Sequence, residues 1–131
     1  MSEPIRVVLF EDNKVFREAL ELLLELRPEV EVVASEADGL RAVSVCRELM
    51  PDVALVDYRL PGPDGVEVTA ALRRDCPDVA VVCLTASVSR REAEALRAAG
   101  ALECVMKDES LDEIVAAIRR AARLSAPARM D

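Results

Sequence analysis

Two stretches, Val53-Ala54-Leu55-Val56 and Val79-Ala80-Val81-Val82-Cys83-Leu84, are apolar at every position and are bounded by turn-forming residues. A strand with one wet face alternates polar and apolar side chains, because successive side chains point to opposite faces. An unbroken apolar run has no wet face and needs cover on both sides. That is the position of a central strand in a parallel sheet with helices above and below. The first run ends in a single acid, Asp57, and then breaks into Leu60-Pro61-Gly62-Pro63-Asp64-Gly65.

The rest of the chain repeats a strand-then-helix pattern. Residues 5–10 read as a first strand, stopped by Glu11-Asp12-Asn13. From 15 to 26, Val15, Ala19, Leu22, Leu23 and Leu26 recur at helical spacing and are expected to face the core, with Pro28 as the stop. A second strand, 30–34, has the polar positions of a sheet edge, and a second helix over 39–50 carries Leu40, Val43 and Leu49 on one side. The third strand runs to Asp57, and the third helix, 65–75, carries Val66, Val68, Ala71 and Leu72. After the fourth strand ends at Thr85, Ser89-Arg90-Arg91-Glu92 has capping-box spacing and opens a fourth helix that Gly100 terminates. A fifth strand, 102–106, ends at Lys107-Asp108. Ser110-Leu111-Asp112-Glu113 opens a last helix to about Leu124, with Leu111, Ile114, Val115 and Ile118 inward. Arg119, Arg120 and Arg123 near its end read as a solvated face, or as a contact for a homodimer or effector domain. Residues 1–124 form one domain on this reading, and 125–131 a flexible tail or the start of a linker.

Short right-handed crossovers turn five such units into a parallel sheet of order 2-1-3-4-5, a flavodoxin-like (βα)5 three-layer α/β sandwich. Hydrophobic residues make up 52% of the 131, which supports a folded core. No apolar run approaches the roughly 18 residues that a membrane helix needs. Met1-Ser2-Glu3-Pro4 leads straight into the first strand, leaving no room for a signal peptide, so a cytoplasmic location is expected. The net charge of -8 and the lack of tryptophan argue against nucleic-acid binding by this segment. With no histidine, Ser-His-Asp and Cys-His catalysis are excluded. Cysteines 46, 76, 83 and 104 form no CxxC pair and read as small buried hydrophobes.

Ligand sites of open parallel sheets lie at the carboxyl ends of the strands. There the sequence places Glu11-Asp12, Asp57, Thr85 and Lys107. The first and third strands are neighbours in the expected order, which crowds three carboxylates together. Their mutual repulsion calls for a hard divalent cation, Mg2+, with Mn2+ as an alternative. Lys107 and Thr85 add a positive charge and a hydroxyl donor, parts suited to stabilising a phosphoryl group in transfer. Asp57 suits the nucleophile's role, being ionised at neutral pH without a base. Each residue also has a plainer reading: Glu11 and Asp12 as helix caps, Lys107 as a solvated lysine, Thr85 as an ordinary strand residue. The joint arrangement favours the functional one.

On these residues, together with Leu84-Thr85-Ala86 and Met106-Lys107-Asp108, the chain resembles a response-regulator receiver domain of two-component signalling. The likeness is greatest to receivers that precede a helix-turn-helix DNA-binding domain. It implies that Asp57 accepts a phosphoryl group from a histidine kinase or phosphotransfer protein. Mg2+ would be held by Asp12, Asp57 and the Arg59 backbone carbonyl, with Glu11 acting through water. Thr85 and Lys107 would contact the phosphoryl oxygens, and Arg59 and Ser87 would tune dephosphorylation. Such a domain is no conventional enzyme; it catalyses its own phosphorylation and slow dephosphorylation. One position departs from the pattern: Cys104 stands where the family carries an aromatic switch residue. That leaves a phosphorylation-independent interaction module as an alternative. A small aspartate-nucleophile phosphatase fits less well, because Arg59 occupies the place of its second acid.

Overall fold

The structure, a computed structural model, describes residues 3–86 and 89–125. Five strands, β1 (Ile5–Phe10), β2 (Val30–Glu36), β3 (Val53–Asp57), β4 (Ala80–Thr85) and β5 (Glu103–Met106), alternate with five helices. The helices are α1 (Lys14–Glu25), α2 (Ala42–Leu49), α3 (Gly65–Asp75), α4 (Arg90–Ala99) and α5 (Leu111–Ser125). All pairings are parallel and the order is β2-β1-β3-β4-β5, as the apolar pattern predicts.

Alternation along the central strands feeds two cores. Val7, Leu9, Val53, Leu55, Val82 and Leu84 pack against Leu20 and Leu24 of α1 and Ile114, Val115 and Ile118 of α5. Val8, Phe10, Ala54, Val56, Val81 and Cys83 face the other way, onto Val45, Cys46, Val68, Leu72 and Leu96 of α2, α3 and α4. Each fully buried Val, Leu, Ile or Phe among them stabilises the fold by about 1.5–3 kcal/mol, which anchors the centre of the sheet.

The helix ends follow local chemistry. Asn13, Asp64 and Ser89 each accept a hydrogen bond from a backbone N–H of the helix they precede. Only Asp64 forms a full reciprocal capping box, with Glu67, among the helices whose caps are described. Ser110 caps α5 through the Glu113 N–H at 3.1 Å. Gly100 closes α4 at a φ of 117°, a left-handed conformation that a side chain would strain.

Two helix faces differ from expectation. In α1, Val15, Leu22 and Leu26 are 80%, 65% and 75% exposed, and Ala19 and Leu23 also lie outside the buried set. The helix carries two apolar stripes, and Phe16, Leu20 and Leu24 form the one that meets the sheet and α5. The Asn13 cap fixes where the helix starts, and packing against the sheet and α5 selects which stripe turns inward. In α2, the helix begins at Ala42 rather than 39, and Leu40 is left 73% exposed in the preceding turn. Ala42, Val45 and Cys46 form its buried face, with Val43 and Leu49 only half-buried.

Cys46, Cys76 and Cys83 are buried and Cys104 half-buried, and all are free thiols. Burial pushes the Cys46 and Cys83 thiols up to about 12, as small core residues behave. Among the described residues no helix is long and apolar enough to cross a membrane. Beyond Ser125, the expected tail lies outside the described residues.

Candidate functional site

Four of the residues singled out at the strand ends meet on one rim of the sheet. Phe10 is the last residue of β1, and the next N–H, of Glu11, donates to the Glu36 carbonyl at 2.9 Å. This holds Glu11 against the end of β2, and its side chain is fully buried. Its Oε2 accepts from the Asn13 N–H at 2.9 Å, so Asn13 both orients Glu11 and caps α1. Asp12 is exposed. Asp57 ends β3 with only 3% exposure, and its Oδ1 takes a long hydrogen bond from the Arg59 N–H at 3.3 Å.

What brings Asp57 to this position is a close approach of backbones. A Cβ on Gly65 would sit 2.5 Å from the Asp57 carbonyl oxygen and 2.7 Å from the Tyr58 Cα. No side chain fits there, and the Gly65 N–H donates to the Tyr58 carbonyl at 2.9 Å. The Asp64-Gly65 pair therefore caps α3 and lets its first turn press on the end of β3.

Glu11, Asp12 and Asp57 each offer a carboxylate oxygen, and these atoms lie within 4.8 Å of one another. Lys107 reaches in from the end of β5. Its Nζ lies 2.6 Å from Glu11 Oε1 and 3.2 Å from Asp57 Oδ2, and 4.9 Å above the centre of the Phe16 ring. The Glu11 pair is close without hydrogen-bond alignment, so charge attraction dominates it. Burial pulls the Lys107 ammonium down, but the Glu11 and Asp57 carboxylates outweigh it and the net shift is upward. Burial pushes the Glu11 carboxyl up and Asp57 adds to this, while Lys107 and the Asn13 N–H partly offset it.

Three carboxylates against one ammonium leave a formal charge of -2. The donors are all hard carboxylate oxygens, one of them exposed on Asp12, so the set fits an oxygen-seeking divalent cation that keeps part of its water shell. Glu11 stands inside this cluster rather than at its margin.

Thr85 closes β4, buried, and its carbonyl accepts the Lys107 N–H at 2.8 Å, which ties the two strand ends together. Arg59 follows Asp57 with its backbone beside the acids, while its guanidinium lies 3.7 Å from Glu92 of α4. Cys104 sits apart, on β5, half-buried against the other core. Ser87 lies outside the described residues. Three contributors were not read from sequence as site residues. Asn13 could have been found as the polar residue opening the α1 pattern, and Gly65 from its place after Asp64. Phe16 carried no local signal, since its contact with Lys107 exists only once α1 and β5 are placed.

Comparison with known proteins agrees with this geometry. The model of the response regulator receiver domain family matches residues 7–119. Transcriptional regulatory protein LiaR of Bacillus subtilis is 35% identical over 91% of this chain and 56% of its own length. Nitrate/nitrite response regulator protein NarP of Escherichia coli is 35% identical over 93% of this chain and 57% of its own length. The chain thus spans a little over half of the curated relatives it matches. A NarL signal receiver domain from Mycobacterium tuberculosis superposes with a TM-score of 0.88 at 35% identity, covering 93% of this chain and 98% of that one. With matching strand order, matching sequence and an acid cluster at the expected rim, the chain belongs to the response regulator receiver domain family.

Proposed function

We propose that Asp57 is the acceptor of a phosphoryl group, delivered from a phosphohistidine of a histidine kinase or phosphotransfer protein. The observation that carries this reading is Lys107 Nζ 3.2 Å from Asp57 Oδ2, beside three clustered carboxylates. An Asp57 oxygen attacks phosphorus, the P–N bond to the donor imidazole breaks, and the imidazole leaves with a proton from solvent. Asp12, Asp57 and the Arg59 backbone carbonyl would hold Mg2+ or Mn2+, with Glu11 supporting it directly or through water. The cation supplies charge neutralisation of the phosphoryl oxygens. Lys107 is already aimed at Asp57 and balances the charge that accumulates there, and the Thr85 hydroxyl would donate to a phosphoryl oxygen. Arg59, two residues after Asp57, and Ser87, two residues after Thr85, stand at the sequence positions from which hydrolysis of the phosphate would be tuned.

The relatives named as transcriptional regulators match this chain over only 56% and 52% of their own length, which supports a role in transcription exerted through an effector domain or a homodimer. The segment itself, at a net charge of -8, is not the nucleic-acid-binding part.

Intact-mass measurement after incubation with Mg2+ and acetyl phosphate tests the central step. One phosphoryl adduct on the unmodified chain, and none on Asp57→Asn, is expected. An unmodified chain that stays unlabelled overturns the proposal, and sustained phosphomonoester turnover would reassign the site to a phosphatase.

A further inference from the structure

Between α4 and β5 the structure holds a cavity of about 120 Å³ that the proposed chemistry does not use. Thr85 and Cys104 form its strand wall, and Ser89, Glu92, Ala93, Leu96 and Arg97 its helix wall. We infer that this cavity binds a small uncharged aromatic ring carrying one hydrogen-bond donor, a molecule of phenol's size.

Volume sets the first limit. Benzene fits cavities of about 150 Å³, so this space of about 120 Å³, open to solvent on one side, admits at most one six-membered ring. The lining sets the second. Leu96 is fully buried, and Ala93 and Cys104 are half-buried, giving apolar and sulfur contacts that suit an aromatic ring. Burial pushes the Cys104 thiol up, which keeps it uncharged. A rigid ring also loses no rotamer freedom on entry, unlike an alkyl chain of equal volume.

Polarity sets the third limit. Glu92 Oε1 is buried with no hydrogen-bond partner among the described residues, while the same carboxylate meets the Arg59 guanidinium only at 3.7 Å. A carboxylate oxygen can only accept, so a ligand that satisfies it must donate. Glu92 and Arg97 on the same wall offset each other, so charge draws in neither a cation nor an anion. A donor-bearing ring displaces solvent from the space and meets the buried Glu92 oxygen.

Because Thr85 is part of the wall, occupancy bears on the hydroxyl assigned to the phosphoryl group. That consequence rests on the proposed function; binding itself does not. The test is an NMR titration of the whole chain with phenol, toluene and benzoate. Phenol is expected to shift the Glu92, Leu96 and Cys104 amides saturably, with half-saturation at about 1 mM. Toluene should bind about fivefold more weakly for want of the donor, and benzoate should not bind. Ring-proton NOEs to the Leu96 methyls should place the phenol without any substitution. Cys104→Tyr and Ala93→Leu, each with a native-like spectrum, should abolish the shifts by filling the space. Absence of those NOEs, phenol and toluene binding equally, or shifts persisting in either native-like filled variant would overturn the inference. Failure of Asp57 phosphorylation would leave these readouts untouched, so the two proposals fail separately.

Discussion

The rim formed by β1 and β3 and the flank formed by α4 and β5 are built to different standards. At the rim, Glu11 and Asp57 are nearly inaccessible, Lys107 lies within 3.2 Å of both, and Gly65 brings backbone against backbone. On the flank, Leu96 is the one buried residue of α4, β5 is buried only at Val105, and a cavity separates the two elements. A charged site needs groups fixed before the reaction, because reorganisation during it is costly. A surface that repacks needs room and few buried contacts. The two regions meet at Thr85, which closes β4 at the rim and lines the cavity on the flank.

Several measurements would break or sharpen this contrast. Lys107→Ala removes the one cation that faces both Glu11 and Asp57 among the described residues. Its phosphorylation rate should fall by about 100-fold, measured by intact mass over time; a fall under about threefold would mean that the ammonium is not aimed at the reaction. Gly65→Ala comes next. It forces the Cβ into the Asp57 and Tyr58 backbone and should destabilise the chain by about 2 kcal/mol in urea unfolding. Equal stability would show that the rim tolerates displacement and would erase the distinction.

A smaller effect follows from pH. Glu11 has a raised folded value, so its proton binds the folded chain more tightly than the unfolded one. Without metal, its contribution to stability is complete below the ordinary carboxyl range and is lost as pH rises through the raised value. A cation reverses this by favouring the ionised form. Mg2+ affinity should therefore weaken by about threefold or more from about pH 7 to about pH 5, read by titration calorimetry. Glu11→Gln should flatten that profile. Smallest of all at the rim is Cys104→Tyr, which should leave the phosphorylation rate within about twofold while changing dimerisation or output more. Equal effects on rate and output would join the two regions into one unit.

Much of this was legible in the sequence, for identifiable reasons. Continuous apolar runs at 53–56 and 79–84 dictate buried central strands, and the strand order then places Asp57 beside Glu11-Asp12. The orientation of α1 was not legible. Two apolar stripes compete within KVFREALELLLE, and only the positions of α5 and the sheet decide between them. Leu40 misled for a related reason, since a turn carries it past the point where α2 could bury it. The cavity beside Cys104 was beyond reach, because its volume depends on how α4 and β5 fail to fill the space between them. The identity of the residue signalled a departure from the family, but its geometry needed the assembled flank.

The charge of the rim has a thermodynamic corollary. The cluster exists only while β1 and β3 are paired, since Glu11, Asp12 and Asp57 are brought together by that pairing. An unfolded chain offers the same carboxylates scattered and hydrated. A cation that binds the cluster therefore draws the whole folding equilibrium with it, by about 1.4 kcal/mol at ten times its dissociation constant. If the cluster binds the cation, the melting temperature of this chain would report free divalent cation, and a thermal scan across concentrations would read the site's affinity with no phosphoryl donor present.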